Sequence, residues 1–78
     1  MKNFETLQLA AFKEMKNQII CLADLGKDPR TTDEDRDAAY FSACGFAWGF
    51  QRVGLISWND AQTYIKKFAA AVEGSLEK

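Results

Sequence analysis

The chain has 78 residues, with 10 basic and 11 acidic side chains, two cysteines, one proline and no histidine. This length predicts a single domain, residues 1–78, with a small core. The net charge of −1 lacks the basic excess that marks a nucleic-acid-binding domain, and the missing histidine removes the commonest general base and metal ligand.

The first predicted helix covers residues 3–25, with Asn3 as its N-cap and Gly26 as the C′ residue that ends it. Apolar side chains recur in it every three or four residues, which is the spacing of an amphipathic helix with one buried face. The expected buried positions are Phe4, Leu7, Ala11, Met15, Leu22 and Leu25, with Phe12 and Ile19 beside them and Gln18 as the one interruption. We expect Cys21 and Cys44 to be free, buried thiols, with one disulfide bridge as the alternative.

A loop around Pro29 separates this helix from a second one, which is predicted over residues 32–53. Thr31 and Thr32 are alternative N-caps, and each has an acid three residues further on in the capping-box position. Gly54 follows the last residue as a stop signal. The run of acids in the first turns is favoured by the helix dipole, with an acidic docking patch as the alternative.

The second helix is apolar on nearly every side, because residues 38–53 include only three clearly hydrophilic side chains. Its apolar residues fall into three stripes, two of them rich in aromatics and one made of small residues alone. The stripes are Tyr40, Phe41, Cys44 and Trp48; Phe46, Phe50 and Val53; and Ala38, Ser42, Gly45 and Gly49. A helix of this kind needs cover on several sides, and two companion helices leave part of it uncovered. We therefore expect a surface from outside the protomer to complete the packing.

Gly45 and Gly49 form a GxxxG pattern, which lets a second helix approach the backbone closely. Each glycine in a helix interior costs about 0.5–1 kcal/mol relative to alanine, so a compensating contact is expected. We expect the small-residue stripe to pack against another helix of the same chain, such as the first. A homodimer interface and an interface with a different protein are the alternatives.

The third predicted helix covers residues 58–73, and residues 75–78 form a tail. Ser57 is its N-cap, Asp60 occupies the capping-box position, and Ile56 is placed for a hydrophobic staple. Its buried seam, with a 3-4-3-4 spacing, is expected at Trp58, Ala61, Ile65, Phe68 and Val72. Three such helices with short connections predict an all-α, three-helix antiparallel bundle, which dimerisation would complete.

Aromatic residues serve as core or as interface anchors in a chain like this one. Phe12, Phe46 and Phe68 are expected in the core. The residues expected to contact a partner are Tyr40, Trp48, Phe50, Arg52 and Trp58. No catalytic, phosphate-binding or metal-ligand pattern is present in the sequence. We therefore expect a cytoplasmic, non-catalytic protein–protein interaction protein that self-associates and needs no cofactor, metal or membrane.

A small helix–turn–helix regulator that binds nucleic acid is the alternative function, since a glycine-containing turn joins the second and third helices. In that case Asn59, Gln62 and Thr63 would read bases, while Lys66 and Lys67 would lie near phosphate. The near-zero net charge and an acid in the first turn of that helix argue against it.

Residues 47–68 contain an apolar helix that stops at glycine, the turn Gly54-Leu55-Ile56-Ser57, and a serine-capped helix that returns. This stretch, about a quarter of the chain, resembles the ends of many small helical proteins from phages and mobile elements. The resemblance implies a small phage-encoded accessory or inhibitor protein, with a CRISPR effector or another host defence component as a possible target. It assigns no functional residue.

Overall fold

The computed structural model describes residues 3–74, and the predicted tail at residues 75–78 lies outside this range. The described chain forms three helices, α1 (Phe4–Lys27), α2 (Asp33–Arg52) and α3 (Trp58–Val72). All three pairs of helices pack against one another, in a body of 44 × 21 × 21 Å. The predicted all-α, three-helix bundle is confirmed.

Side-chain caps fix where α2 and α3 begin. The Thr32 hydroxyl accepts a hydrogen bond from the Asp35 amide at 3.1 Å, and the Asp35 carboxylate accepts one from the Thr32 amide at 3.5 Å. Ser57 and Asp60 form the same reciprocal pair at 3.0 and 3.4 Å. Both predicted capping boxes are thus confirmed, and Thr32 is the N-cap of α2.

The turn between α2 and α3 depends on Gly54, which adopts a φ of +84°. Its amide donates to the Gln51 carbonyl at 3.0 Å, and the Leu55 amide donates to the Phe50 carbonyl at 2.9 Å. This is the Schellman arrangement, in which a left-handed residue satisfies the last carbonyls of a helix. Gly54 therefore ends α2, as the sequence predicts.

Contacts at the two ends of the bundle set the helix directions. Near the start of α1, the Gln8 amide group donates to the Leu55 carbonyl, just before α3, at 3.0 Å. Near the end of α1, Gly26 meets the last turn of α3 at Ala71 and Val72. Helices α1 and α3 therefore run in the same direction, and α2 runs against both.

Gly26 does not end α1, so this prediction is wrong: α1 continues to Lys27 and is capped at Asp28. An ideal Cβ on Gly26 would lie 2.6 Å from the Ala71 carbonyl oxygen and 2.7 Å from that of Val72. Glycine is required here because the backbones of α1 and α3 approach closely, and not because a left-handed conformation is needed.

The core consists of large side chains from α1 and α3 packed against small ones from α2. Phe68, Met15 and Leu22 are the largest fully buried side chains, whereas the buried residues of α2 are Ala43 and Ala47. Two alanines on its inner side let α2 lie close to its neighbours. The same arrangement leaves much of its aromatic content on other sides of the helix.

Several residues expected in the core are exposed instead. Phe4 and Leu7 lie in the first turns of α1, and Trp58, at the first position of α3, is 58% exposed. With 24 residues against 15, α1 is about 13 Å longer than α3 at ~1.5 Å per residue, so α3 cannot cover its whole length. Phe46, also predicted as core, is exposed because it lies beyond the edge of the alanine face of α2.

Both cysteines are free, as predicted, but they are not both buried. Cys21 is exposed on α1, away from the side that carries Met15 and Leu22, and Cys44 is half-buried. The expectation of two buried thiols is therefore wrong for Cys21.

Candidate protein-interaction surface

From Ala38 onward, the side of α2 that faces away from the core carries nine exposed residues at helical spacing, and we call it the outer face of α2. Its members are Ala38, Phe41, Ser42, Gly45, Phe46, Trp48, Gly49, Arg52 and Val53. Residues three and four apart are neighbours on a helix surface, so these nine form one continuous strip opposite Ala43 and Ala47. Arg52 is its only charged residue.

Four large apolar side chains of this face are in contact with water. Val53 is 70% exposed, Phe41 68%, Phe46 42% and Trp48 36%. Single exposed apolar residues are ordinary on a protein surface, whereas a contiguous group of them is typical of contact sites. The outer face of α2 carries such a group.

The two glycines of the outer face have no packing partner within the described chain. An ideal Cβ built on Gly45 or Gly49 would meet no neighbouring atom within 4 Å among residues 3–74, and Ala38 and Ser42 are exposed as well. The expectation that this stripe packs against another helix of the same chain is wrong, because α2 packs through Ala43 and Ala47 on its opposite side. The two intermolecular alternatives stay predictions.

An apolar groove of about 620 Å³ runs along one side of the outer face. Its lining includes the two exposed glycines and the rings of Phe46 and Phe50, whose centroids are 6.2 Å apart. The lining residues are Ser42, Gly45, Phe46, Gly49, Phe50, Val53 and Leu55. Glycines, which have no side chain, beside aromatic rings can accept a ridge of apolar side chains from another helix.

The predicted contact residues do not form one surface. Trp48 and Arg52 lie on the outer face of α2, and Phe50 is half-buried at the wall of its groove. Tyr40 lies on another side of α2, in a groove shared with α3, and Trp58 belongs to the first turn of α3. The prediction that these residues bind a partner stays a prediction.

Three large apolar residues of this face, Phe41, Phe46 and Val53, were not among the predicted contact residues. The signal for them is in the sequence, since they belong to the two aromatic-rich stripes that flank the small-residue stripe. Gly45 follows Phe41 by four residues, and Gly49 follows Phe46 by three. The sequence does not show which side of α2 faces the core, and the exposure of these three residues depends on that orientation.

A second groove, of about 720 Å³, lies between the start of α2 and the end of α3 and is mostly polar. Asp33, Asp37 and Glu73 line it, and the Arg36 guanidinium is 3.2 Å from the Asp33 carboxylate. This arrangement brings no group of three possible metal ligands together among residues 3–74.

Tyr40 also lines this second groove, and its pKa is raised, first by hydrogen bonding with the Cys44 side chain and second by burial. Burial raises the pKa of the Cys44 thiol. Both groups therefore stay protonated at neutral pH, which does not favour a reactive thiolate.

The residues of the alternative nucleic-acid surface lie on α3. Asn59, Thr63, Lys66 and Lys67 are exposed, and Gln62 is half-exposed. The Lys67 ammonium is 5.2 Å from the centre of the Tyr64 ring, a cation–π contact within the helix. The function of this surface stays a prediction.

Comparison with protein-family models, curated proteins and solved structures found no match to this chain. None of the helices formed by residues 3–74 combines the length and the apolar character of a membrane-spanning segment.

Proposed function

We propose that this chain is a non-catalytic protein–protein interaction protein that places the outer face of α2 on the surface of another protein. The observation that carries the proposal is the exposure of Phe41, Phe46, Trp48 and Val53 on one continuous strip. A tryptophan and an arginine belong to the same strip, and these residue types are enriched among the anchors of protein interfaces.

The two exposed glycines support the same conclusion through their energetic cost. In helix-interior positions, Gly45 and Gly49 together lower helix stability by about 1–2 kcal/mol relative to alanine. No contact within the described chain compensates this cost, because an added Cβ would meet open space at both positions. A partner that needs close access to the backbone of α2 gives these glycines a role.

We infer that the protein inhibits its partner by covering a functional surface. The similarity of residues 47–68 to small phage and mobile-element proteins supports a host factor as the target, for example a CRISPR component or another defence protein. The contact includes Trp48 and Arg52 from the predicted set, together with Phe41, Phe46 and Val53.

The experiment uses immobilised chain and cell lysate to find a partner, followed by binding measurements with the two purified proteins. The test variant is F41S/V53S, which removes the two most exposed apolar side chains of the outer face. The control variant is L9S/I20S, because Leu9 and Ile20 are equally apolar and are 71% and 60% exposed on α1.

We expect the wild type and L9S/I20S to bind the purified partner with the same affinity, and F41S/V53S to bind at least about tenfold more weakly. Equal binding by all three proteins would show that another surface is used and would refute the proposal. Circular dichroism at 222 nm verifies that the variants keep their helix content.

A further inference from the structure

We infer that in the free protein the outer face of α2 is covered by a second copy of this chain, in an antiparallel, two-fold symmetric helix pair. The inference rests on the proposed function, because it concerns the same face of α2. It names the molecule that covers this face when no other protein is bound. Spacing, charge and area each support this occupant.

The spacing of the small-residue stripe is palindromic. Ala38, Ser42, Gly45 and Gly49 are separated by four, three and four residues, so the order of intervals is the same in both directions. An antiparallel pair centred between Ser42 and Gly45 places Ala38 opposite Gly49 of the second copy, and Ser42 opposite its Gly45. Small residues then face small residues along the whole stripe, and the backbones can approach closely. A two-fold interface requires this self-complementarity.

The larger side chains fit the same arrangement. Phe41 lies on the same side of α2 as Trp48, and in the antiparallel register its ring lies between Gly45 and Trp48 of the second copy. On the other side, Phe46 lies over Ser42 of the second copy. Both phenylalanine side chains thus project over a small residue, where no Cβ or only a short side chain occupies the space.

The distribution of charge along α2 selects the antiparallel direction. The first turn contains Asp33, Glu34 and Asp35, whereas Arg52 lies in the last turn. In the antiparallel register, Arg52 is level with residue 35 of the second copy, one position from Glu34 of that copy. Arg52 and this Glu34 lie on the same side of the helix pair. A parallel pair would instead place the two acidic turns together. Unlike charges at both ends therefore favour the antiparallel dimer over the parallel one.

The exposed area is sufficient for a weak dimer. At roughly 150–250 Å² for a complete aromatic side chain, the exposed fractions of Phe41, Phe46, Trp48 and Val53 amount to about 400 Å². The small residues and the stem of Arg52 raise this to about 600 Å² per copy, or about 1,200 Å² in total, the lower limit for specific protein interfaces. We therefore expect a dimer that dissociates on dilution.

The experiment measures the mass of the purified chain by sedimentation equilibrium from about 2 to about 200 µM, since a dimer of this kind depends on concentration. We expect the average mass to rise from 8.8 kDa toward twice that value. Gly45→Lys places a charge and a long side chain at the centre of the stripe, and we expect this variant to remain a monomer throughout. Asn17→Lys adds the same side chain to the exposed side of α1 and should dimerise like the wild type.

A charge exchange tests the register. Arg52→Glu and Glu34→Arg should each weaken dimerisation about fivefold or more, because the two-fold axis repeats the pair. The double variant should return to within about twofold of the wild type, since it restores opposite charges across the interface. A parallel pair would not show this rescue.

A wild-type chain that stays monomeric at the highest concentration overturns the inference, as does a dimer that Gly45→Lys leaves intact or a charge exchange without rescue. The proposed function fails separately when partner binding is measured with dilute chain, because the chain is then monomeric whether or not it dimerises at high concentration. A monomer that binds its partner through the outer face leaves the proposed function standing and removes only the dimer.

Discussion

The three helical glycines of this protein should respond in opposite directions to the same substitution. Gly26, Gly45 and Gly49 all lie inside helices, so replacement by alanine raises intrinsic helix stability at each position. The structure differs around them. An added Cβ meets open space at Gly45 and Gly49, but lies 2.6 and 2.7 Å from backbone oxygens of α3 at Gly26.

We expect Gly45→Ala and Gly49→Ala each to raise the free energy of unfolding by about 0.5–1 kcal/mol. For a domain of this size the corresponding increase in Tm is about 2–8 °C. Gly26→Ala should instead destabilise the fold by about 1–3 kcal/mol, because backbone atoms cannot rotate away as a side chain can and the two helices must separate.

The assay is urea unfolding followed by circular dichroism at 222 nm, with about 2 µM protein so that self-association does not contribute to stability. The Gly45→Ala and Gly49→Ala variants act as mutual controls, since they test the same face. A loss of stability in both would show that the small-residue stripe is packed within the protomer and would refute the argument for an outside partner. A neutral or stabilising Gly26→Ala would refute the close approach of α1 and α3.

Three further predictions concern the thiols, the tyrosines and a helix cap. Exposed Cys21 should react with iodoacetamide at pH 8 faster than Cys44, because burial raises the pKa of the Cys44 thiol. In urea the two thiols should react at equal rates, and equal rates in the native protein would contradict the prediction. The pKa values of Tyr40 and Tyr64 are raised above 10.0, the first mainly by its hydrogen bond to Cys44 and the second by burial. The folded state therefore holds the two phenolic protons more tightly than the unfolded state. The contribution of these two groups to the free energy of unfolding should be constant below about pH 10 and should decrease as the pH rises above it. Urea titrations at pH 8 and pH 11 measure this, and a rise in stability at the higher pH would be inconsistent with it. Ser57→Ala removes the cap of α3 and should cost about 1 kcal/mol in the same urea assay, with Ser57→Asp as the variant that restores a capping side chain.

The helices and their starting points could be predicted from the sequence because the signals for them are local. The capping boxes at Thr32 and Ser57 and the glycine stop at Gly54 each depend on residues within one turn. Gly26 misled the prediction because a glycine after an apolar run is typical of a C′ residue. Its actual role depends on Ala71 and Val72, which are distant in sequence.

The orientation of α2 could not be predicted, because three of its sides are apolar. Periodicity identifies an inner face only when the remaining faces are polar, and residues 38–53 offer little such contrast. The structure turns Ala43 and Ala47 inward, two residues that belong to none of the three predicted stripes. Their small side chains share one buried cluster with the large side chains of Phe68 and Met15, which are distant in sequence.

The parallel course of α1 and α3 separates the beginning and the end of the described chain by the length of a 44 Å rod. Joining two copies head to tail in one polypeptide would therefore normally need a linker of at least about 13 residues, at 3.3–3.6 Å per extended residue. The proposed antiparallel dimer would change this geometry, because it brings residue 74 of one copy to the same end as residue 3 of the other. The linker of a covalent tandem would then cross the pair sideways, between bundles 21 Å wide, instead of following the full rod, and would hold the two outer faces together at any dilution.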